Sequence, residues 1–281
     1  MSNEETHFDK ESLNTVQRYK HRAAYDRKTI YSIARAAPVL HVAFICDEGL
    51  PQCIPMVGAL EEIEDGEAFV YLHGSSVSRF IKSNDGGSQM CITATLVDGY
   101  ILSLTPYSHD VFPIPSNLLL LVDKVANLQL LFAESYDGDT EAAKLNALKL
   151  ITNAVCPDRW ENSRVPPTAA ELKSTGVLRV RIESASAKIN SGGSSDNATD
   201  MANEDLKARV WTGVLYAFSI FLGTTFDLRN LLFPSSPIRT VTLSPQPSEY
   251  NQLVGAKVPE HVTNFGAVFA ERLEAGTQAG L

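Results

Sequence analysis

Three acidic-glycine steps constrain the fold of this chain more than any other feature. Asp47-Glu48-Gly49, Asp65-Gly66 and Asp98-Gly99 each adjoin short runs rich in β-branched and aromatic residues, the pattern of tight turns between strands. "VLHVAFICDEGLPQCIPMVGAL" reads as two strands about the first turn. "EDGEAFVYLHG" leads into a third, and "QMCITATLVDGYILSL" supplies two more. Within the last of these, alternation places Cys91, Thr93 and Thr95 on one face and Ile92, Ala94 and Leu96 on the other. Five strands joined by hairpins predict an antiparallel barrel or sandwich.

Helical periodicity appears over 14–36, 140–154 and 167–174, and a further strand is expected over 175–189. "NSGGSSDNATD" has the composition of a loop. The expected class is therefore mainly β with flanking helices (α+β). The expected organisation is a disordered tail over 1–13, one domain over 14–215 and a C-terminal extension over 216–281. An atypical apolar insert at 216–241 belongs to that extension.

A net charge of −9 over 281 residues argues against the broad basic surface that nucleic acid requires. The polar, acidic start lacks the basic and apolar parts of a signal peptide. Residues 117–132 carry Asp123 and Lys124 at their middle, and 214–223 are half the length of a bilayer span, so no membrane segment is expected. Cys46, Cys53, Cys91 and Cys156 form no C-x-x-C pair and read as reduced, mostly buried thiols of a cytoplasmic protein.

"YLHGSSVSRFIK" combines Gly74, which permits close backbone approach, with the hydroxyls of Ser75, Ser76 and Ser78. A helix beginning near Ser76 would add free N–H groups and its dipole. Arg79 and Lys82 are neighbours on such a helix and suit a dianion. The same letters also describe a serine-capped surface helix with solvated cations. Motifs for dinucleotide-binding Rossmann folds, P-loops, zincins and α/β-hydrolases are absent. His41 and His73 occupy strand positions without carboxylates or cysteines at ligand spacing, so no metal is assigned.

Taken in order, "HVAFICDEGLPQCIPM", "YLHGSSVSRFIK", "CITATLVDGYILS", "CPDRWENSRVPPTAAELKSTGVLRVRIESASAKI" and "VWTGV" resemble the pyridoxamine 5′-phosphate oxidase-related flavoproteins. These form the FMN-binding split-barrel superfamily, and the likeness is to its flavin-nucleotide-binding branch. The resemblance covers about Arg18 to Val214. It implies FMN as cofactor, its phosphate and ribityl chain held by Ser75, Ser78, Arg79 and Lys82. Pro55, Met56 and Val57, with Tyr71 to His73, would lie along the ring system. It further implies a homodimer with FMN at the interface and an oxidoreductase acting on an unknown small molecule, with no catalytic residue assigned. A non-catalytic flavin carrier or sensor, a haem-binding split barrel and a degenerate paralogue without FMN stand beside that reading. The chain departs from the family pattern at 109–132, where no Arg occurs, and at 216–241. The first departure implies a missing barrel strand and an exposed sheet edge.

Overall fold

The computed structural model describes residues 6–63, 67–84, 88–96, 99–108, 110–112, 124–135, 141–190, 194, 196–219 and 241–247. In chain order these form β1 (Ala23–Ala24), α1 (Arg27–Ala36), β2 (Leu40–Ile45), β3 (Pro51–Met56), β4 (Gly58–Glu62), β5 (Ala68–Ser75) and α2 (Arg79–Asn84). Then come β6 (Ser88–Thr95), β7 (Gly99–Leu102), β8 (Asp110–Phe112), β9 (Lys124–Ser135), α3 (Glu141–Val155) and α4 (Ala169–Ser174). The last are β10 (Thr175–Arg181), β11 (Ser184–Ile189), α5 (Ala198–Met201), α6 (Glu204–Arg209), β12 (Gly213–Ser219) and β13 (Val241–Pro247). Of the expected features, the turn at Asp65-Gly66, Asp98 of the turn Asp98-Gly99, residues 191–193 and 195 of the loop over 190–200 and residues 220–240 of the insert over 216–241 lie outside the described residues.

Two compact units are present, residues 1–96 with 124–189 and residues 97–123 with 190–281. The single domain expected over 14–215 is thus distributed over both. The first unit holds an antiparallel sheet in the order β3-β2-β6-β9-β10-β5-β4, with β11 also on β9 and β1 on β11. Its two end strands, β3 and β4, are consecutive in the chain and separated only by Val57. Backbone continuity at that residue, in place of a hydrogen-bonded ladder, joins the ends of the path. The second unit holds the sheet β13-β12-β7-β8, where Ile101 and Val214 pair across β7 and β12 and are both buried.

Inside the first unit, alternation on each strand sends one set of side chains to a common core: Val42, Val70, Leu72, Ile92, Ala94, Leu178 and Val180 are fully buried. Helix α1 adds Ile30, Tyr31, Ile33 and Ala34 to the same cluster. It starts where the Asp26 carboxylate accepts the Thr29 N–H at 2.8 Å, satisfying one free donor of the first turn. Phe8 reaches this core and meets Tyr31 edge to face at 6.0 Å. Strand β5 is buried on both sides, because Phe69 and Tyr71 pack with Ala147 and Ile151 of α3 in a second cluster. A strand covered on both faces needs a continuous apolar run, which explains why "AFVYL" does not alternate.

Three sequence expectations are corrected. Residues 88–102 are not a hairpin: β6 pairs with β2 and β9, and β7 pairs with β12 and β8. With both edges of β6 already taken, β7 has no free ladder to join there. The strand expected to be lost near 109–132 exists as β9, paired with β6 on one side and with β11 and then β10 on the other. The helical signal over 14–36 yields an α-helix only from Arg27. Tyr19 adopts the left-handed conformation, and Ala23–Ala24 pair with β11 instead. Among the cysteines, Cys46 is buried and Cys91 half-buried, whereas Cys53 and Cys156 are exposed.

Candidate functional site

The site begins at the bend between β3 and β4. Leu40 of β2 pairs with Met56, while Leu72 of β5 pairs with Gly58, so the strand changes partners across Val57. A Cβ at Gly58 would lie 2.8 Å from the Leu72 side chain and 2.9 Å from that of Leu40, closer than packed carbon atoms approach. Glycine is required there by space.

Past Leu72, His73, Gly74 and Ser75 pair with Val177, Gly176 and Thr175 of β10 and no longer with β4. Among the described residues strand β3 pairs with β2 alone. Two unpaired backbone edges therefore leave the bend, one along Pro51–Met56 and one along His73–Ser75. Pro51 and Pro55 suit an edge strand, since proline has no N–H to offer a second neighbour. Pro55 is exposed, Met56 is half-buried against the main core and Val57 is 37% exposed.

Beyond Ser75 the chain makes a tight turn. The Ser78 N–H donates to the Ser75 carbonyl at 2.9 Å, and the Ser76 N–H donates to the Ser174 carbonyl at 2.9 Å. Helix α2 starts at Arg79, three residues later than expected and only six residues long. Ser78 caps it, its Oγ accepting the Ile81 N–H at 3.3 Å. With so short a helix and the Ser76 amide committed elsewhere, attraction for an anion rests on the serine hydroxyls and the two cations, Arg79 and Lys82, both exposed. These cations lie three apart on one helix face. Arg79 is also within electrostatic reach of the turn between β2 and β3. A hydrogen bond from Cys46 lowers the Glu48 carboxyl, its own backbone adds to this, and the charge of Arg79 lowers it further.

The other face of α2 is locked inward. Phe80 meets Phe44 edge to face at 5.3 Å, and the buried Asn84 amide donates to the Phe80 carbonyl at 2.7 Å. Ile81 rests on Gly74 and Gly176, which pair across β5 and β10. A Cβ at Gly176 would lie 2.7 Å from Ile81 Cγ2, and one at Gly74 3.6 Å from Ile81 Cγ1.

Ser75, Ser78, Arg79 and Lys82 are thus brought together in one turn and helix, with His73 two residues upstream on the open part of β5. Pro55, Met56 and Val57 sit at the bend. Tyr71 is placed differently: it is 3% exposed, covered by α3, and its hydroxyl donates to Glu61 Oε2 at 2.7 Å. His73 is exposed, yet partial burial of its ring pushes its pKa below the ordinary imidazole value, so the neutral form prevails at pH 7. His41 is exposed on β2, paired with Pro55 and Thr93. The sequence reading missed Gly58, Ser174 and Gly176. An isolated glycine at a strand start, as in "STGVLRV", was the available signal for Gly176. Among the described residues no cluster of His, Cys, Asp and Glu could hold a metal ion.

Residues 26–112, which contain both the bend and the serine turn, match the pyridoxamine 5′-phosphate oxidase family. Over that third of its length the chain is similar to pyridoxamine 5′-phosphate oxidase-like proteins. Its split-barrel fold is shared with the flavocytochrome Anf3 from Azotobacter vinelandii, at 27% identity and a TM-score of 0.59 over 91% of this chain and 97% of that one. The FAD and haem binding protein from Mycobacterium smegmatis matches at 20% identity with a TM-score of 0.57, over 80% and 100% of the two chains. No curated protein matches in sequence. In oxidase-like terms, β9 supplies the strand after β6 without the arginine implied by the resemblance, since residues 124–135 contain none.

Proposed function

We propose that the protein is a flavin-dependent redox protein in which Ser75, Ser78, Arg79 and Lys82 hold the phosphate of FMN. The observation that carries this is the single turn and helix on which two hydroxyls and two exposed cations converge beside an unpaired strand edge. The groups fit the ligand: a phosphate dianion needs charge-assisted donors, and a flavin ring needs an accessible backbone edge for its polar rim. When bound, the flavin supplies two-electron chemistry, and the protein contributes position and electrostatics. The edges along Pro51–Met56 and His73–Ser75 would orient the ring. Arg79, exposed on α2, would turn to the phosphate. The functional unit is proposed to be a cytoplasmic homodimer with the flavin at its interface, acting on a small organic substrate.

A second reading has its own observation. His73 presents a neutral imidazole, the form that binds iron, next to the serine turn. Two of the structural relatives are a flavocytochrome and an FAD and haem binding protein. In this reading the protein carries haem as well, and the flavin is a dinucleotide.

The visible spectrum of the desalted protein separates the readings. Flavin bands without a Soret band, with FMN recovered on acid release, support the first. A Soret band abolished by His73→Ala, with FAD released, supports the second. A colourless protein that retains neither added FMN nor FAD overturns both. Bleaching by NADH or NADPH then divides an oxidoreductase from a carrier.

A further inference from the structure

A cavity of about 330 Å³ opens on the sheet of the first unit, bordered by Glu11 and Leu13 from the segment before β1. Register builds its floor. Cys53 of β3 pairs with Ala43 of β2, Ala43 with Cys91 of β6, Cys91 with Gln129 of β9, and Gln129 with Ser184 of β11. Directly paired positions share one face of a sheet. This row therefore crosses five strands on the side opposite Val42, Ile92 and Ala185, which belong to the core. Ala43, Cys91 and Ser184 of the row line the cavity. The bordering segment is fastened in place by Asn14, which is 3% exposed and donates through Nδ2 to the Asp9 carbonyl at 2.6 Å and the Ala185 carbonyl at 3.4 Å.

Two observations point to an occupant. Leu13 and Ile45, both in the lining, are 68% and 54% exposed, large apolar groups left in water beside a concave surface. Ser184, also in the wall, is 5% exposed, and its Oγ is hidden from solvent with no hydrogen-bond partner among the described residues. A buried hydroxyl without a partner is costly and rare, and rotation about one bond redirects it. We infer that the cavity binds a compact, uncharged, largely apolar molecule with one hydroxyl or carbonyl group that pairs with Ser184, a ligand of the size and chemistry of a phenol. The volume lies at the low end of the range for ligand pockets, about 300–1,000 Å³, which suits a single ring. Glu11 is the one charged group among the described lining residues, so an anion is disfavoured. With the proposed flavin site the cavity shares only Pro51 and Gln52 at the start of β3, and no residue of the serine turn or α2 is among the described lining residues. The inference does not rest on flavin binding.

The test is a titration of the purified protein with phenol and with toluene, read by NMR of labelled isoleucine and methionine methyl groups, since Ile45 and Met90 report from the wall. Both compounds are expected to shift these signals saturably. Ser184→Ala should weaken phenol about three- to tenfold, the loss of one neutral hydrogen bond, and leave toluene unchanged. Ala43→Leu should fill the cavity and abolish binding of both. Benzoate, similar in shape but anionic, should bind at least tenfold more weakly than phenol, and added FMN should not displace phenol. Thermal melting checks the fold of each variant. Should Ala43→Leu melt early, Ser184→Ala decides alone, because it removes a single oxygen. Absence of saturable phenol binding, a Ser184→Ala variant that treats phenol and toluene alike, undiminished binding in a folded Ala43→Leu variant, benzoate binding as tightly as phenol, or displacement of phenol by FMN would each overturn the inference.

Discussion

Gly74 and Gly176 face each other across β5 and β10, and the side chain of Ile81 fills the notch that the pair leaves. The cationic helix is seated through this contact. The two glycines are not equivalent, because Ile81 comes within 3 Å of a Cβ built at Gly176 but not of one at Gly74. Gly176→Ala is expected to lift α2, destabilise the protein by about 1–3 kcal/mol and weaken flavin retention. Gly74→Ala should be close to neutral. Thermal melting and flavin retention of the two variants check this, and equal effects would contradict it.

Arg79 points outward from α2, so its removal should act on ligand affinity and leave the fold alone. Loss of one charge-assisted contact is worth about 1.5–3 kcal/mol. Arg79→Ala should therefore lower flavin mononucleotide affinity about ten- to a hundredfold, with the melting temperature unchanged. Arg79→Lys should fall between the two, since lysine keeps the charge but not the fork. Quenching of flavin fluorescence on titration measures all three.

Glu171 ties helix α4 to the site. Its carboxylate accepts from Arg164 Nη2 at 2.6 and 2.8 Å and from the Thr168 N–H at 2.7 Å, completing a capping box. The next turn ends at Ser174, whose carbonyl holds Ser76. The hydrogen bond from Arg164, followed by those from Thr168, lowers its pKa from 4.5 to about 2. A carboxyl lowered on folding stabilises above its unfolded value, and that stability is lost as pH falls through the folded value. Glu171→Gln should thus flatten the acid-unfolding curve between pH 4.5 and about 2, as read by circular dichroism. An unchanged slope would show that the cap does not couple to folding.

The thiols should react in an order set by exposure. Burial, and secondarily the neighbouring Cys53, pushes the Cys91 thiol up in pKa, and Cys46 is buried. Since the thiolate is the reacting species, iodoacetamide at mildly alkaline pH should label Cys53 and Cys156 first. Peptide mass spectrometry gives the order directly, and early labelling of Cys91 would contradict its assigned environment.

Local chemistry made much of this fold legible. The turn at Asp47-Glu48-Gly49, the alternation over Cys91–Leu96, the helices at 141–155 and 169–174, and the grouping of Ser75, Ser78, Arg79 and Lys82 all follow from residues a few positions apart. Strand β9 was harder to read. The sequence alternates over Ala126-Asn127-Leu128-Gln129-Leu130, but this stretch lies within a longer apolar run, 117–132, whose only charges are Asp123 and Lys124. What identifies it as a strand is partnership: Leu128 stands opposite Ile92 on one side and Ala185 on the other.

The same distinction applies to the site. Residue types and short spacings, set by side-chain chemistry and backbone sterics, are sufficient to nominate an anion-binding turn and to specify mainly antiparallel strands. They cannot show that β6 and β7 enter different sheets, that α3 covers Tyr71, or that β5 outruns β4 to leave His73–Ser75 open. Each of those depends on which edges and faces are already occupied by segments far away in the chain, so only the assembled packing decides them. Gly176 carries the point in one residue: a hundred positions of chain separate it from the serine turn, and it matters because Ile81 has nowhere else to sit.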